Sequence, residues 1–154
     1  MLIYRSMKRK IHRKEVNKIA KEILKKISNI KTDKAKIIAM FGDLGAGKTT
    51  LTQEISKELG IKNIVTSPTF VLMKKYKTNS KEGSLKKIKN LIHIDAYRLE
   101  EAQDLRKIGW DNLNNDKDNL IIIEWPENVK GCLDNKSQLV YLSHIDEDYR
   151  LFEF

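Results

Sequence analysis

One glycine-rich segment carries the residues of this chain that are best suited to chemistry on phosphates. It fits the pattern G-x-x-x-x-G-K-[ST], in which the glycines let the backbone curl so that successive N–H groups face an anion. The lysine of the pattern reaches the β and γ phosphates of a nucleotide, and the next hydroxyl ligates Mg²⁺. We therefore predict a site for a nucleoside triphosphate and Mg²⁺. Its candidate residues are Gly42, Asp43, Leu44, Gly45, Ala46, Gly47, Lys48, Thr49 and Thr50.

The segments on either side of this loop have the character that a phosphate loop needs. The preceding run Lys36–Phe41 is apolar and of strand length. The following residues 50–59 contain no Pro or Gly, carry spaced apolar side chains and stop at Gly60, which is a suitable helix C-cap. A strand, a loop and a helix are therefore predicted in the order in which a helix N-terminus faces bound phosphate.

Two later strands are predicted to end in carboxylates, Asp95 after residues 91–94 and Glu124 at the end of Asn119–Glu124. In open α/β sheets, ligands bind beyond the carboxyl ends of the strands, where the phosphate loop also emerges. Phosphoryl transfer requires a carboxylate near Mg²⁺ and its waters. We therefore predict Lys48, Asp95 and Glu124 as catalytic residues, although either acid alone could simply cap a strand.

The remaining pattern predicts an α/β fold in which helices cover a mixed sheet, as a single P-loop NTPase domain over residues 1–154. Apolar residues at helical spacing indicate an amphipathic helix, and Gly109 interrupts a second helix near its end. The predicted ranges are helices at 16–30 and 98–113, a strand at 70–73, an exposed hairpin loop at 78–84 and a closing hairpin formed by 138–144 and 149–154.

Composition restricts the class of protein. The chain has 154 residues, 40% of them hydrophobic and 33% charged, and no apolar stretch approaches the roughly 18 residues of a membrane-spanning helix. The first ten residues lack the apolar segment of a secretory signal, and the single cysteine, Cys132, cannot form an internal disulfide. A cytoplasmic location is expected. The three histidines (His12, His93 and His144) are scattered, which argues against a structural metal site.

The formal net charge of +9 raises the question of nucleic-acid binding. Only six of the thirty basic residues are arginine, the side chain that recognises phosphate with two parallel hydrogen bonds. A solvated lysine surface is therefore the favoured interpretation, and a specific RNA-binding face is the alternative.

Four ordered segments together resemble the TsaE (YjeE-like) ATPases of bacteria, and the resemblance covers roughly residues 16–128. The phosphate loop alone would indicate only a superfamily, whereas the Ser-Pro-Thr loop, the Asp-x-Tyr-Arg-Leu segment and the Glu-Trp pair are more specific. The four segments are Gly42 to Thr50, Ser67-Pro68-Thr69-Phe70, His93-Ile94-Asp95-Ala96-Tyr97-Arg98-Leu99 and Ile123-Glu124-Trp125.

This resemblance implies an ATPase that is needed to make N6-threonylcarbamoyladenosine at position 37 of tRNAs reading codons that start with A. Such an ATPase docks on a transferase subunit, TsaD, and its paralogue, TsaB, and its hydrolysis of ATP resets that complex. Contact with tRNA is expected to be indirect. The resemblance also implies that Thr49 and Glu124 hold Mg²⁺, that Asp95 acts near the γ phosphate and that Trp125 flanks the site.

The chemistry of the residues agrees with these roles. Asp95 could position or deprotonate the attacking water, and Ser67 and Thr69 lie on a loop that could sense the γ phosphate. Arg98 is either a site residue or part of a surface ion pair, and Trp125 either packs in the core or contacts a ligand. Without an evident arginine finger, the isolated protein is expected to hydrolyse ATP slowly.

Three other classes of function were weighed against the sequence. A small-molecule kinase shares the phosphate loop but needs an arginine-bearing lid, which the sequence does not show. A GTPase is disfavoured because the guanine-reading Asn-Lys-x-Asp pattern does not occur. An RNA-binding module would leave the phosphate loop and both carboxylates unexplained.

Overall fold

The computed structural model describes residues 6–154 and contains one seven-stranded sheet with helices on both faces. The strands are β1 Lys8–His12, β2 Lys36–Phe41, β3 Met73–Lys77, β4 Asn90–Asp95, β5 Asn119–Glu124, β6 Gln138–His144 and β7 Tyr149–Glu153. The α-helices are α1 Val16–Asn29, α2 Lys48–Glu58, α3 Ala102–Lys107 and α4 Trp110–Asn114. Short 3-10 segments cover Arg13–Glu15, Gly83–Lys87 and Pro126–Cys132.

The strand order is β1-β7-β6-β2-β5-β4-β3. The four central strands β6, β2, β5 and β4 run parallel, whereas β1, β7 and β3 pair antiparallel at the two sides. All six residues of β4 and of β5 are buried, as expected for parallel strands that are covered on both faces. The predicted mixed sheet layered by helices is confirmed.

Two hydrophobic cores lie on the opposite faces of the sheet. On one face α1 and α2 pack against alternate residues of the central strands, such as Ile38, Leu120 and Val140. On the other face α3, α4 and the segment Pro126–Cys132 cover the intervening strand residues, among them Ile121. Because both faces of the central strands are apolar, their register is strongly specified.

The periodic and strongly apolar segments were predicted correctly. The ranges of β2 and β5 match the prediction, and α1 ends one residue before the predicted end. The predicted closing hairpin is the antiparallel pair of β6 and β7. The predicted loop at 78–84 lies between β3 and β4, which pair antiparallel.

The prediction of a strand at residues 70–73 is wrong. Pro68 O accepts a hydrogen bond from Val71 N at 3.0 Å, so the chain turns here, and Leu72 has a left-handed φ of 61°. The strand begins at Met73 and runs to Lys77. Phe70 and Val71 are exposed, so in this loop an apolar run does not indicate burial.

The prediction of a helix over residues 98–113 is also corrected. The chain forms a helix only from Ala102, after a capping box in which Glu101 and Asp104 each accept the other's backbone N–H. Gly109, with φ 92°, then separates α3 from α4. Strand β1 was not predicted, because its composition is mainly charged and its single partly buried apolar residue is Ile11. The part of the expectation about a secretory signal that concerns residues 1–5 lies outside the described residues.

Within residues 6–154, none of the helices combines the length and apolar composition that crossing a bilayer requires.

Candidate nucleotide-binding site

Parallel pairing brings the ends of three strands together at one edge of the sheet. Glu124 at the end of β5 lies opposite Asp95 at the end of β4 and, on its other side, opposite Met40 of β2. The glycine-rich loop starts two residues after Met40. The predicted convergence of the loop with both carboxylates is therefore what the structure shows.

Two glycines of the loop are required for different steric reasons. A Cβ on Gly42 would lie 2.7 Å from Leu142 O of β6, so only glycine fits where the start of the loop passes next to the backbone of β6. Gly47 has a left-handed φ of 107° and forms the N-cap of α2. The loop consequently delivers its backbone directly to the N-terminus of an eleven-residue helix, the geometry that favours phosphate.

The Lys48 side chain is folded back over the loop. Its amino group donates hydrogen bonds to the carbonyls of Gly42 and, at 3.0 Å, Asp43. Burial lowers the pKa of Lys48 below its ordinary value, and four nearby carboxylates offset part of that effect. A partly desolvated ammonium interacts more strongly with an anion than one in water. The four carboxylates belong to Glu124, Glu127, Asp95 and Asp43.

Trp125 flanks the loop on the side of β5. Its φ of 57° is in the left-handed region, which is unusual for an aromatic residue and is found at functional sites. This backbone places the indole ring 4.4 Å from Lys48 Nζ, a cation–π distance, and 5.1 Å from the ring of Tyr97. Trp125 therefore both packs against the second core and contacts the lysine of the loop.

Glu124 lies between the loop and a buried histidine. Its Oε1 is 3.5 Å from Thr49 Oγ1 and accepts a hydrogen bond from His93 Nε2 at 2.8 Å. Mg²⁺ binds oxygen at 2.0–2.1 Å, so two neighbouring octahedral ligands lie about 3 Å apart. The separation of Thr49 and Glu124 is about 0.5 Å wider than such a pair, which a small side-chain movement would close, and the donor set of one hydroxyl and one carboxylate suits Mg²⁺.

The Asp95 carboxylate is bound by the loop between α2 and β3 and not by the P-loop, which is the glycine-rich loop before α2. Its Oδ2 accepts hydrogen bonds from Ser67 Oγ at 3.3 Å and Thr69 Oγ1 at 2.9 Å, and its Oδ1 accepts one from Tyr97 N at 3.0 Å. A carboxylate offers about four acceptor positions, so one remains on Oδ1. That position is where Asp95 can bind a water.

The structure thus brings together Lys48, Thr49, Asp95 and Glu124, while Asp43, Leu44, Gly45 and Thr50 are exposed on the same loop and helix start. Arg98 is exposed and lies over the Phe70 ring at 5.3 Å, and it forms no ion pair within residues 6–154, so its role as a site residue stays a prediction. His93 was not predicted as a site residue. Its place two residues before Asp95 on a buried strand is the signal that could have found it, because that spacing puts both on one face.

Comparison with protein families and with individual proteins gives a consistent result. The family model described as threonylcarbamoyl adenosine biosynthesis protein TsaE matches residues 11–151. The tRNA threonylcarbamoyladenosine biosynthesis protein TsaE of Haemophilus influenzae is 35% identical over 126 residues, which cover 82% of this chain and 72% of that protein. The protein of the same name from Bacillus subtilis is 34% identical over 119 residues, covering 77% and 68%.

A solved structure agrees at the level of the fold. The crystal structure of YdiB from Bacillus subtilis superimposes with a TM-score of 0.70 and covers 97% of this chain and 84% of that one. Its sequence identity of 24% means that this match supports the architecture alone.

The contact between His93 and Glu124 predicts a measurable thermodynamic coupling. His93→Leu and Glu124→Met should each lower the free energy of unfolding by about 1–3 kcal/mol, because each leaves a buried polar partner unsatisfied. The double variant should lose less than the sum, with a coupling energy of about 0.5–3 kcal/mol measured by urea denaturation.

The matched control for this cycle pairs His93→Leu with Asn119→Ala, at the other end of β5. Asn119 lies three residues along from the position opposite His93, about 10 Å away. These two changes should be additive within about 0.5 kcal/mol. Equal additivity in the His93 and Glu124 cycle would contradict the proposed coupling.

Proposed function

This chain belongs to the TsaE family, which takes part in tRNA threonylcarbamoyladenosine biosynthesis, and from that premise we propose that it hydrolyses Mg·ATP to support a complex of TsaD and TsaB in that modification. The observation that carries the proposal is the convergence of the P-loop with Asp95 and Glu124 at one edge of the sheet. The proposal places the protein in the cytoplasm, with ATP and Mg²⁺ as its nucleotide and metal.

Each polar residue of the site has a task in this proposal. Lys48 exchanges its backbone carbonyl partners for the β and γ phosphates, which suit an ammonium better than neutral oxygens do. Thr49 and Glu124 hold Mg²⁺, and His93 orients Glu124 from behind. When bound, Mg²⁺ neutralises the charge that develops on the phosphate oxygens.

Asp95 orients the attacking water and accepts its proton. The free position on its Oδ1 supports this role, as does the burial of the carboxylate, which is 4% exposed. Ser67 and Thr69 donate hydrogen bonds to the other oxygen, Oδ2, so a movement of the Asp95 carboxylate would also move the loop that follows α2. Loss or gain of phosphate beside Asp95 can thereby move this loop, as in a switch segment.

The rim of the site supports closure by another protein. Four large apolar side chains are exposed there, although the bulk of such residues in the chain is buried. Exposed apolar patches mark interaction surfaces. They belong to Leu44 of the P-loop (79% exposed), Phe70 (87%) and Val71 (59%) beside Thr69, and Tyr97 (51%), whose backbone binds Asp95.

The isolated protein is expected to hydrolyse ATP slowly, because its site is completed only when another protein closes it. In residues 6–154 the hydrogen bonds and ion pairs of Lys48, Asp95 and Glu124 include no arginine. An arginine finger is worth about 10³–10⁵ in rate where one is present. A partner seated on the apolar rim can supply that positive charge or close Arg98 over the site.

Changes in the P-loop should remove turnover without unfolding the protein. Lys48→Ala and Thr49→Ala should each lower the rate of Mg·ATP hydrolysis at least about 100-fold, because each removes a group that stabilises charge in the transition state. The measurement is phosphate release with excess Mg·ATP, alongside thermal unfolding. Lys57→Ala, on the exposed side of the same helix, is the matched control and should hydrolyse ATP like the wild type. A P-loop variant with the wild-type rate would refute the proposed site.

The two strand-end acids should be separable by mutation. Asp95→Asn and Glu124→Gln should each slow hydrolysis at least about tenfold, or 1.4 kcal/mol, since one loses the proton acceptor and the other a metal ligand. Raising the Mg²⁺ concentration should restore part of the rate to Glu124→Gln and none to Asp95→Asn. Asp111→Asn, on α4, serves as the control. If one acid variant is unimpaired, that acid has a structural role only.

A further inference from the structure

A lysine groove lies at the end of the sheet opposite the P-loop, where β2, β4 and β5 begin. It consists of two adjoining cavities of about 890 Å³ and about 440 Å³, which share Asn29, Ile30 and Lys31. Eight lysines line the two cavities and define the groove. They are Lys26, Lys31, Lys36, Lys86, Lys87, Lys89, Lys117 and Lys136.

These lysines come from five separate parts of the chain. Lys26 lies on α1, Lys31 precedes β2 and Lys36 is its first residue. Three lysines, Lys86, Lys87 and Lys89, precede β4, while Lys117 precedes β5 and Lys136 precedes β6. The parallel connections return each of these segments to the same end of the sheet. One third of the 24 lysines of the chain is consequently gathered in one concave surface.

Little negative charge compensates this surface. Of the described residues, Asp118 is the one carboxylate that lines either cavity. Over the described part of the chain, none of the eight groove lysines has a carboxylate oxygen within 4.0 Å, whereas Lys8, Lys57 and Lys107 elsewhere form ion pairs. The groove therefore holds an uncompensated positive potential.

Several of the ammonium groups are held in place rather than free. Lys89 Nζ donates to Lys86 O at 2.8 Å, and Lys136 Nζ donates to Lys31 O at 3.1 Å. An ammonium group has three donors, so each keeps two for a ligand. Lys36 is half-buried, and burial first and the charge of Lys87 second lower its pKa. An anion between Lys36 and Lys87 would relieve this repulsion.

We propose that the lysine groove binds the phosphate backbone of RNA directly. Its lining also includes hydroxyl and amide side chains, such as Ser28, Thr32 and Asn135, which suit phosphate and ribose, together with Ile30 and Ile88. Among residues 6–154 no aromatic side chain lines either cavity, and base stacking is therefore left out of this proposal. The identity of the polyanion as RNA rests on the proposed function, and direct binding is the alternative to the expected indirect contact with tRNA.

The position of the groove leaves the nucleotide site free. The strands β2, β4 and β5 each have six residues, which span about 20 Å between the groove and the P-loop. RNA can therefore occupy one end of the sheet while nucleotide and a protein partner occupy the other.

The test compares RNA binding by two variants of equal net charge. The groove variant is Lys31→Ala, Lys87→Ala and Lys117→Ala together, and the matched control is Lys14→Ala, Lys62→Ala and Lys130→Ala, all at exposed positions. The probe is a fluorescently labelled, unmodified tRNA transcript, and the readout is anisotropy with the full chain alone, free of nucleotide and partners, across a range of salt concentrations.

The groove variant should bind at least about tenfold more weakly than the control, and its plot of log affinity against log salt should be shallower by about 2, because up to three phosphate contacts are lost. Equal affinities of the two variants would overturn the proposal. Displacement of the tRNA by inorganic pyrophosphate at an equal phosphate concentration would also overturn it, since the groove would then be a site for small anions.

ATP hydrolysis by the same two variants separates this inference from the proposed function. Both variants should hydrolyse Mg·ATP at the wild-type rate, because neither changes the P-loop edge. Groove-dependent RNA binding by a protein without ATPase activity would refute the proposed function and leave RNA binding in place. Normal ATPase activity with RNA binding that does not depend on the groove would refute the lysine groove as the RNA site and leave the proposed function in place.

Discussion

The parallel register of β2, β5 and β4 is the constraint on which the rest of this structure depends. It sets Glu124 between Met40 and Asp95, so that the P-loop and both acids leave the sheet at one edge. A shift of one residue in any of these pairings would turn a carboxylate to the opposite face of the sheet. The apolar side chains that fill both faces of the strands hold this register, and packing and chemistry are thereby linked.

Concentrating polar groups at a buried edge is unfavourable unless each finds partners. Here Glu124 has His93 and Thr49, Asp95 has Ser67, Thr69 and the backbone of Tyr97, and Lys48 has two carbonyls and the Trp125 ring. These partners hold the groups in place before nucleotide binds, which reduces the reorganisation that the reaction requires. The same edge carries the exposed apolar rim, so the polar site and the exposed apolar side chains lie next to each other.

Local pattern predicted most of the fold and the meeting of the glycine-rich loop with the two strand-end acids. The runs of β2 and β5 are apolar over their whole length, and the glycine-rich loop has a motif, so both were found. A strand was wrongly predicted at Phe70 and Val71 because these apolar side chains are exposed at the rim of the site and are not buried in a sheet. Strand β1 was not predicted because an edge strand rich in basic residues lacks an apolar signal. His93 and the lysine groove depend on which strands are neighbours, and that information is absent from any single segment.

The central claim is that hydrolysis at this site sustains repeated rounds of tRNA modification. The most direct measurement is the amount of threonylcarbamoyladenosine that cognate TsaD and TsaB subunits form on excess tRNA, with ATP and either wild-type protein or Lys48→Ala. The account predicts many equivalents of product per complex with the wild type and about one with the variant. As many turnovers with Lys48→Ala, or a phosphorylated metabolite with no effect on tRNA, would contradict it.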